Sequence, residues 1–165
     1  MRTLILTFTT IVFLSCSTHT DTNTPASTST AKTPATPDFN VALNFINDYV
    51  DFCNSTSAQT NDTNWVRNHP LLTDNFKNAY YDLINKARKD DPELGLGFDP
   101  IFDSQDFPDK GFVVAAADTA AGILTVKGKD WADFILTLKV VDQDGKYLVD
   151  GSGVINIPDD KRARR

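Results

Sequence analysis

Apolar residues recur at helical spacing in two stretches of the chain. The first stretch follows Pro37, and its apolar residues fall three and four positions apart: Val41, Ala42, Phe45, Ile46, Tyr49, Val50 and Cys53. This spacing places them on one face of a helix, which Asp38 is expected to cap. The second stretch repeats the pattern after Thr73, the predicted N-cap, with Phe76, Ala79, Tyr80, Leu83, Ile84 and Ala87. Pro92 and Gly95 are expected to end this second helix.

The segment between the two predicted helices is polar. Residues 54–64 are rich in Asn, Ser, Thr and Asp and favour a loop. Trp65 and Val66 interrupt the polar run, and we expect them to form a short turn that packs onto the core.

After Gly111 the apolar pattern changes to a period of two, which is typical of β-strands. The predicted strands cover residues 112–117, 121–127, 131–141 and 146–149, with 154–157 extending the last one. Asp-Gln-Asp-Gly at residues 142–145 predicts a hairpin turn, in which Gly145 supplies the positive φ. Helices followed by a strand meander indicate an α+β fold, with two N-terminal helices packed on one face of a curved antiparallel sheet.

The N-terminus has the pattern of an export signal. Residues 4–14 form an uncharged, mostly apolar run after Arg2, too short at about 16 Å of helix to span roughly 30 Å of hydrocarbon. The run ends in Phe-Leu-Ser-Cys at residues 13–16, which resembles a lipobox and predicts lipidation of Cys16. An ordinary secretory signal cleaved elsewhere, with Cys16 incidental, is the alternative. Ser17, which is not acidic, favours anchoring in the bacterial outer membrane, facing the periplasm.

Composition divides the rest of the chain. Residues 17–37 contain eight Thr, three Ser, three Pro and three Ala, and no large apolar side chain. Such a segment cannot bury enough surface to offset its conformational entropy. The predicted organisation is therefore a signal peptide (1–15), a lipidated cysteine with a disordered stalk (16–37), one α+β domain (38–158) and a disordered basic tail (159–165).

Charge and cysteine content narrow the functional classes. The net charge is −6, so we expect no nucleic-acid partner, since the basic residues cluster only at the extreme C-terminus. If Cys16 is lipidated, Cys53 has no partner for an intramolecular disulfide and is expected to be a buried, inert thiol.

Several short motifs occur in order between the second helix and the last strand. They are Leu-Leu-Thr (71–73), Asp-Asp-Pro (90–92), Gly-Leu-Gly-Phe-Asp-Pro (95–100), Gln-Asp-Phe-Pro (105–108) and Lys-Tyr-Leu-Val-Asp (146–150). With these motifs the region resembles the bacterial envelope family called domain of unknown function 3828. The resemblance implies a nuclear-transport-factor-2-like (cystatin-like) cone, in which a curved sheet wraps around helices and often leaves a pocket. The family has no assigned activity, so the resemblance implies none here.

One loop and several aromatic residues supply candidate binding groups. Asp99, Gln105 and Asp106 could line the mouth of the cone, with Trp65, Tyr80 and Trp131, together with Tyr49, as aromatic walls. Plain core packing is the alternative for each aromatic residue. Asp99, Asp103, Asp106 and Asp109 could instead hold Ca²⁺, but their spacing differs from that of a calcium loop and favours hydrogen bonds that shape the loop. No metal and no cofactor is therefore predicted.

Catalytic patterns are weak in this sequence. His69 is the only histidine of the domain, which argues against a multi-histidine metal site, and Ser152 lacks a nucleophile-elbow pattern. The leading hypothesis is a membrane-anchored, non-catalytic binding domain for an unknown small ligand or envelope protein. An inhibitor or immunity-type protein that binds a basic enzyme or toxin comes second, and a small isomerase-type enzyme third.

Overall fold

The computed structural model describes residues 36–55 and 58–163, except for the side chains of residues 58–61. Its elements are α1 (Asn40–Asn54), α2 (Ala58–Asn68), α3 (Asp74–Asp90), β1 (Phe112–Asp118), β2 (Ile123–Gly128), β3 (Ile135–Gln143), β4 (Lys146–Ser152) and a 3-10 turn (Asp159–Lys161). Helices therefore precede an antiparallel sheet, and the predicted α+β class is confirmed. Cys16 and residues 17–35 of the predicted stalk lie outside the described residues.

Helices α1 and α3 follow the predicted periodicity. On α1 the buried residues are Ala42, Phe45, Ile46, Tyr49 and Val50. The N-cap position of α1 is Phe39 instead of the predicted Asp38, and Phe39 makes no side-chain cap bond; Asp38, one residue earlier, accepts the N–H of Asn40 at 3.0 Å. At the start of α3, Thr73 Oγ1 accepts the N–H of Phe76 at 2.9 Å, so the predicted N-cap is confirmed.

Helix α2 corrects the prediction of a loop at residues 54–64 and of a short turn at Trp65. Its Asn- and Thr-rich sequence has low helix propensity. Tertiary contacts stabilise it instead: Val66 is fully buried, and Asp62 accepts a hydrogen bond from Tyr80 on α3 at 3.1 Å. Packing of this kind supplies most of the stability of short helices and is not visible in a local pattern.

The four strands form a meander in the order β1-β2-β3-β4, with every pair antiparallel. The face that meets the helices carries Leu124, Val126, Leu136 and Leu138, which are all buried. We call the opposite side the outer face. Cross-strand rows on it include Asp118–Ile123–Lys139–Gly151 and Ala116–Thr125–Thr137.

Several predicted strand boundaries differ from the structure, and the two largest differences have a clear cause. Strand β3 begins at Ile135 instead of residue 131, because Phe134 N–H donates to the carbonyl of Trp131 at 3.0 Å and closes a turn there. Residues 154–157 do not extend β4. The chain reverses at Gly153, where φ is +57°, and Ser152 and Ile155 pair with each other.

After this reversal the chain passes beside the outer face, where Asn156, Pro158 and Lys161 lie near residues of β1 to β3, and we call residues 153–162 the strap. Gly151 allows the close approach, since a Cβ there would lie 2.8 Å from Ile157 Cδ1. Arg162 holds the end of the strap by donating to the carbonyls of Ile157 (3.0 Å) and Val154 (3.4 Å). The predicted disordered tail therefore differs from the structure at residues 159–162, which form the 3-10 turn and the Arg162 contacts.

Candidate functional site

Asp99 points inward, toward α1. Its Oδ2 accepts the phenolic O–H of Tyr49 at 2.6 Å, and its Oδ1 accepts the N–H groups of Ile101 (2.8 Å) and Phe102 (3.0 Å). The two bonds to backbone N–H groups shape the loop after residue 99, which is the role that the sequence favours over a calcium site, and the third ties the loop to α1. Both carboxylate oxygens are therefore engaged within the protein.

Burial dominates the acid–base behaviour around Asp99. It raises the pKa of Asp99, an effect that the hydrogen bonds from Tyr49, Phe102 and Ile101 partly offset. Burial, and then the nearby Asp99 carboxylate, raise the pKa of Tyr49. Cys53 is partly buried instead of fully buried as expected, and burial raises the pKa of its thiol to about 12, so the thiolate is scarce at neutral pH.

Trp65 and Tyr80 belong to an aromatic cluster between the helices. The Trp65 ring lies 5.2 Å from that of Tyr49 and 4.4 Å from that of His69. Tyr80 is buried, and its hydroxyl donates to Asp62. Both side chains serve as packing residues here, which is the alternative to a role as pocket walls.

The other predicted site residues lie elsewhere. Gln105 is exposed and donates to the carbonyl of Gly97 at 3.0 Å, and Asp106 is exposed beside it. Trp131 is 45% exposed and its ring packs 5.1 Å from that of Phe134. The structure therefore does not gather the predicted residues around one pocket mouth. Within residues 36–55 and 58–163, no three His, Cys, Asp or Glu side chains are arranged to hold a metal ion.

A cavity of about 320 Å³ lies instead between the outer face and the strap, and we call it the strap groove. Strands β1 to β3 supply its floor and the strap supplies its wall. The lining residues are Asp118, Ala121, Ile123, Thr125, Thr137, Lys139, Asn156, Pro158 and Lys161. Its volume is at the lower end of the range of small-molecule sites.

The ammonium group of Lys139 is held in place by Asp150, which does not line the groove. Lys139 Nζ donates to Asp150 Oδ2 at 2.9 Å, while Asp150 Oδ1 accepts from Thr73 (2.8 Å) and Asn75 (3.0 Å). Burial alone would raise the pKa of Asp150, but the hydrogen bonds from Asn75, Lys139 and Thr73 and the Lys139 charge lower it. A charged carboxylate therefore fixes Lys139 at the groove.

Sequence reasoning missed this groove for a physical reason. The period of two identifies Ile123, Thr125, Thr137 and Lys139 as the side of the sheet away from the core. Nothing in that pattern shows that the chain turns back over this side. Gly151 and Gly153 are the available signal, because one permits close approach and the other a reversal.

Comparison with known proteins leaves this geometry as the basis for any functional inference. The chain matches no protein-family model, no curated protein and no solved structure. Among the helices described, none combines the length and the apolar character needed to cross a membrane.

Proposed function

We propose that this domain is a non-catalytic binding module that holds a small molecule in the strap groove. The observation that carries the proposal is the groove itself, a concave site with apolar floor residues and a few convergent polar groups. Sites of this composition are typical of small-ligand binding. The isomerase-type alternative has no comparable support, since both carboxylate oxygens of Asp99 accept hydrogen bonds from within the protein.

The groove is built before any ligand arrives. Asn156 in the strap donates to the carbonyl of Asp150 at 2.8 Å, and the pairing of Ser152 with Ile155 fixes the reversal. Ile155 and Ile157 are buried against the sheet. A wall held by these contacts loses little conformational entropy on binding, which favours affinity.

A fragment screen on the isotope-labelled full chain tests this function. We expect fragments that bind to shift backbone amide resonances of β2, β3 and the strap in ¹H–¹⁵N NMR spectra. Thr125→Trp, which places an indole on the groove floor, is expected to abolish these shifts. Lys127→Trp is the matched control, since it lies on the same strand and face but does not line the groove. Fragments that shift only other regions, or that bind Thr125→Trp unchanged, would contradict the proposal.

An inhibitor-type role is the second candidate, and exposed apolar side chains at one end of the sheet favour it; we call this end the patch. Val113 (37% exposed), Val114 (49%) and Trp131 (45%) lie there, because Phe112 pairs with Gly128, and Val113 and Val114 point to opposite faces of β1. Exposed Trp side chains are frequent anchors in interfaces. Asp130 and Asp133 flank Trp131 and are exposed, and so are Lys129 and Lys127, which pairs with Val113. Because the charges around the patch are mixed, the choice of a basic partner rests on the net charge of −6 of the whole chain.

Binding of a basic wall hydrolase distinguishes this second candidate. With hen lysozyme as the probe in surface plasmon resonance, Trp131→Ala is expected to weaken binding about tenfold, the loss of a 1.4 kcal/mol anchor. Leu94→Ala removes another exposed apolar side chain, outside the patch, and serves as the control. Absence of binding, or equal binding by both variants, removes the candidate.

The place of action that we propose is the bacterial outer membrane, facing the periplasm, with the domain tethered through a lipid on Cys16. The apolar run at residues 4–14 and the Phe-Leu-Ser-Cys sequence support this proposal. A flexible stalk of 21 residues would reach on the order of 25 Å from the lipid surface. The groove would then be presented to solutes of the envelope.

A further inference from the structure

Charged groups of opposite sign line the strap groove, and we infer from them that its ligand is a short peptide with free amino and carboxyl termini. The inference rests on the proposed binding function and adds the chemistry of the ligand. Asp118 of β1 and Lys139 of β3 belong to one cross-strand row, with Ile123 of β2 between them. A carboxylate and an ammonium group therefore flank an apolar side chain on the groove floor.

The spacing of the strand backbones along this row is comparable to the length of a peptide of about three residues. Two steps between neighbouring strands separate the Asp118 and Lys139 backbones by about 10 Å. An extended chain covers at most 3.3–3.6 Å per residue, so three residues span roughly the same distance. Ile123 lies between the two charges, and Ala121 and Pro158 add apolar surface to the groove for small side chains.

Each charged group keeps hydrogen-bonding capacity for a ligand. Asp118 Oδ1 accepts the N–H groups of Ala120 (3.1 Å) and Ala121 (3.0 Å), and its Oδ2 can accept from an ammonium group. Lys139 gives one of its three N–H donors to Asp150. Lys161 brings a second ammonium group from the strap, 3.9 Å from the exposed Asp160.

The charge pattern favours a zwitterion over a simple ion. A plain anion would gain from Lys139 and Lys161, whose charges Asp150 (2.9 Å) and Asp160 (3.9 Å) already balance in part, but would meet the Asp118 carboxylate. A plain cation would gain from Asp118 but would meet the two ammonium groups. A free peptide places its ammonium at Asp118 and its carboxylate at the lysines. In the reverse orientation the peptide carboxylate would meet Asp118 and its ammonium would meet the lysines. This repulsion opposes binding, so the two termini also fix the direction of the peptide.

NMR titration of the full chain with tri-L-alanine tests this ligand class. Its N-acetyl form and its C-terminal amide each lack one charge and serve as matched ligands. We expect either modification to raise the Kd about two- to fivefold, the usual worth of a partly exposed ion pair. Asp118→Asn, which keeps Oδ1 as an acceptor, should weaken binding of the free peptide by the same factor and leave the N-acetyl form unaffected. Lys161→Met should act likewise on the free peptide and spare the amide.

Matched control variants are available on the same sheet. Asp142→Asn alters another turn carboxylate, which accepts from Gly145 N–H and does not line the groove, and Lys127→Met removes a lysine of the same face. Neither is expected to change the Kd of tri-alanine. Equal Kd values for all three ligands, or no peptide binding while fragments still occupy the groove, would overturn the ligand class alone. If neither the peptides nor any fragment bound to the groove, the proposed binding function itself would be overturned.

Discussion

At the residue scale, the carboxylates of half-buried Asp99 and buried Asp150 respond to their surroundings in opposite ways. Asp99 receives neutral donors only, so burial prevails and its pKa is raised. Asp150 receives Lys139 as well as Thr73 and Asn75, so its pKa is lowered although burial opposes this. The difference lies in the charged partner, which favours the ionised form. Neither environment could be predicted from the sequence, because the partners come from distant elements.

Replacement of Asp150 with Asn should destabilise the fold in a pH-dependent way. A lowered folded-state pKa means that the Asp150 carboxylate contributes stability above its unfolded pKa, and that this contribution is lost as the pH falls through the folded pKa. At pH 7 we expect Asp150→Asn to lower the free energy of unfolding by about 1.5–3 kcal/mol. Urea unfolding at pH 7 and in acid measures the change, with the exposed Asp142→Asn as control. An equal loss at both pH values would contradict this assignment.

Removal of the Tyr49 hydroxyl should expose the cost of burying Asp99. Tyr49→Phe leaves Asp99 Oδ2 without its donor at 2.6 Å, for an expected loss of about 1–3 kcal/mol at neutral pH. Because the folded-state pKa of Asp99 is raised, folding favours the protonated form of this carboxyl. The stability that the protonated form contributes is lost as the pH rises through the folded pKa. The loss in Tyr49→Phe should therefore shrink as the pH falls. Tyr80→Phe, whose hydroxyl makes a longer bond of 3.1 Å to Asp62, should cost less in the same urea titrations.

At the element scale, predictions succeeded where the local pattern and the tertiary packing agree. Thr73 and the apolar spacing of α3 specify that helix without help, and positive φ angles at Asp144 and Gly145 form the predicted hairpin. The prediction for α2 was wrong because its residues individually favour loops, while burial of Trp65 and Val66 against the core stabilises the helix. The prediction that residues 154–157 extend β4 was wrong because these strand-like residues follow Gly153, where the chain reverses.

Two glycines with positive φ should differ sharply in their tolerance of a side chain. A Cβ at Gly145 would have no neighbouring atom within 4 Å, whereas a Cβ at Gly153 would collide with the Pro100 carbonyl and lie 2.6 Å from that of Ile101. Gly145→Ala should therefore cost only the backbone strain, about 1–2 kcal/mol. Gly153→Ala should cost more than about 3 kcal/mol, because backbone atoms must move. Thermal or urea unfolding compares the two, and similar losses would show that the reversal at Gly153 adapts easily.

At the scale of the whole molecule, the sequence predicted the layers of the fold but not the candidate site. Amphipathic periodicity determines which side chains face the core, and so the α+β class and the strand order follow from it. The strap groove depends on residues that are far apart in sequence, such as Asp118, Lys139 and Lys161. Their proximity follows from the register of three strands and from a chain reversal, which no local spacing encodes.

The proposed tether concerns the whole molecule, and the two cysteines of the chain provide its test. Expressed in a bacterium fed labelled palmitate, the wild-type protein is expected to incorporate label and to sediment with membranes. Cys16→Ser removes the proposed acylation residue, so label incorporation should fall to background and an uncleaved precursor should accumulate. Cys53→Ser is the internal control, since Cys53 is partly buried on α1 and its raised thiol pKa disfavours modification. Label that persists in Cys16→Ser, or an intact mass showing an unmodified N-terminus other than Cys16, would remove the anchor. The groove would then belong to a freely secreted domain, and its ligand would have to be sought among dissolved peptides away from the membrane surface.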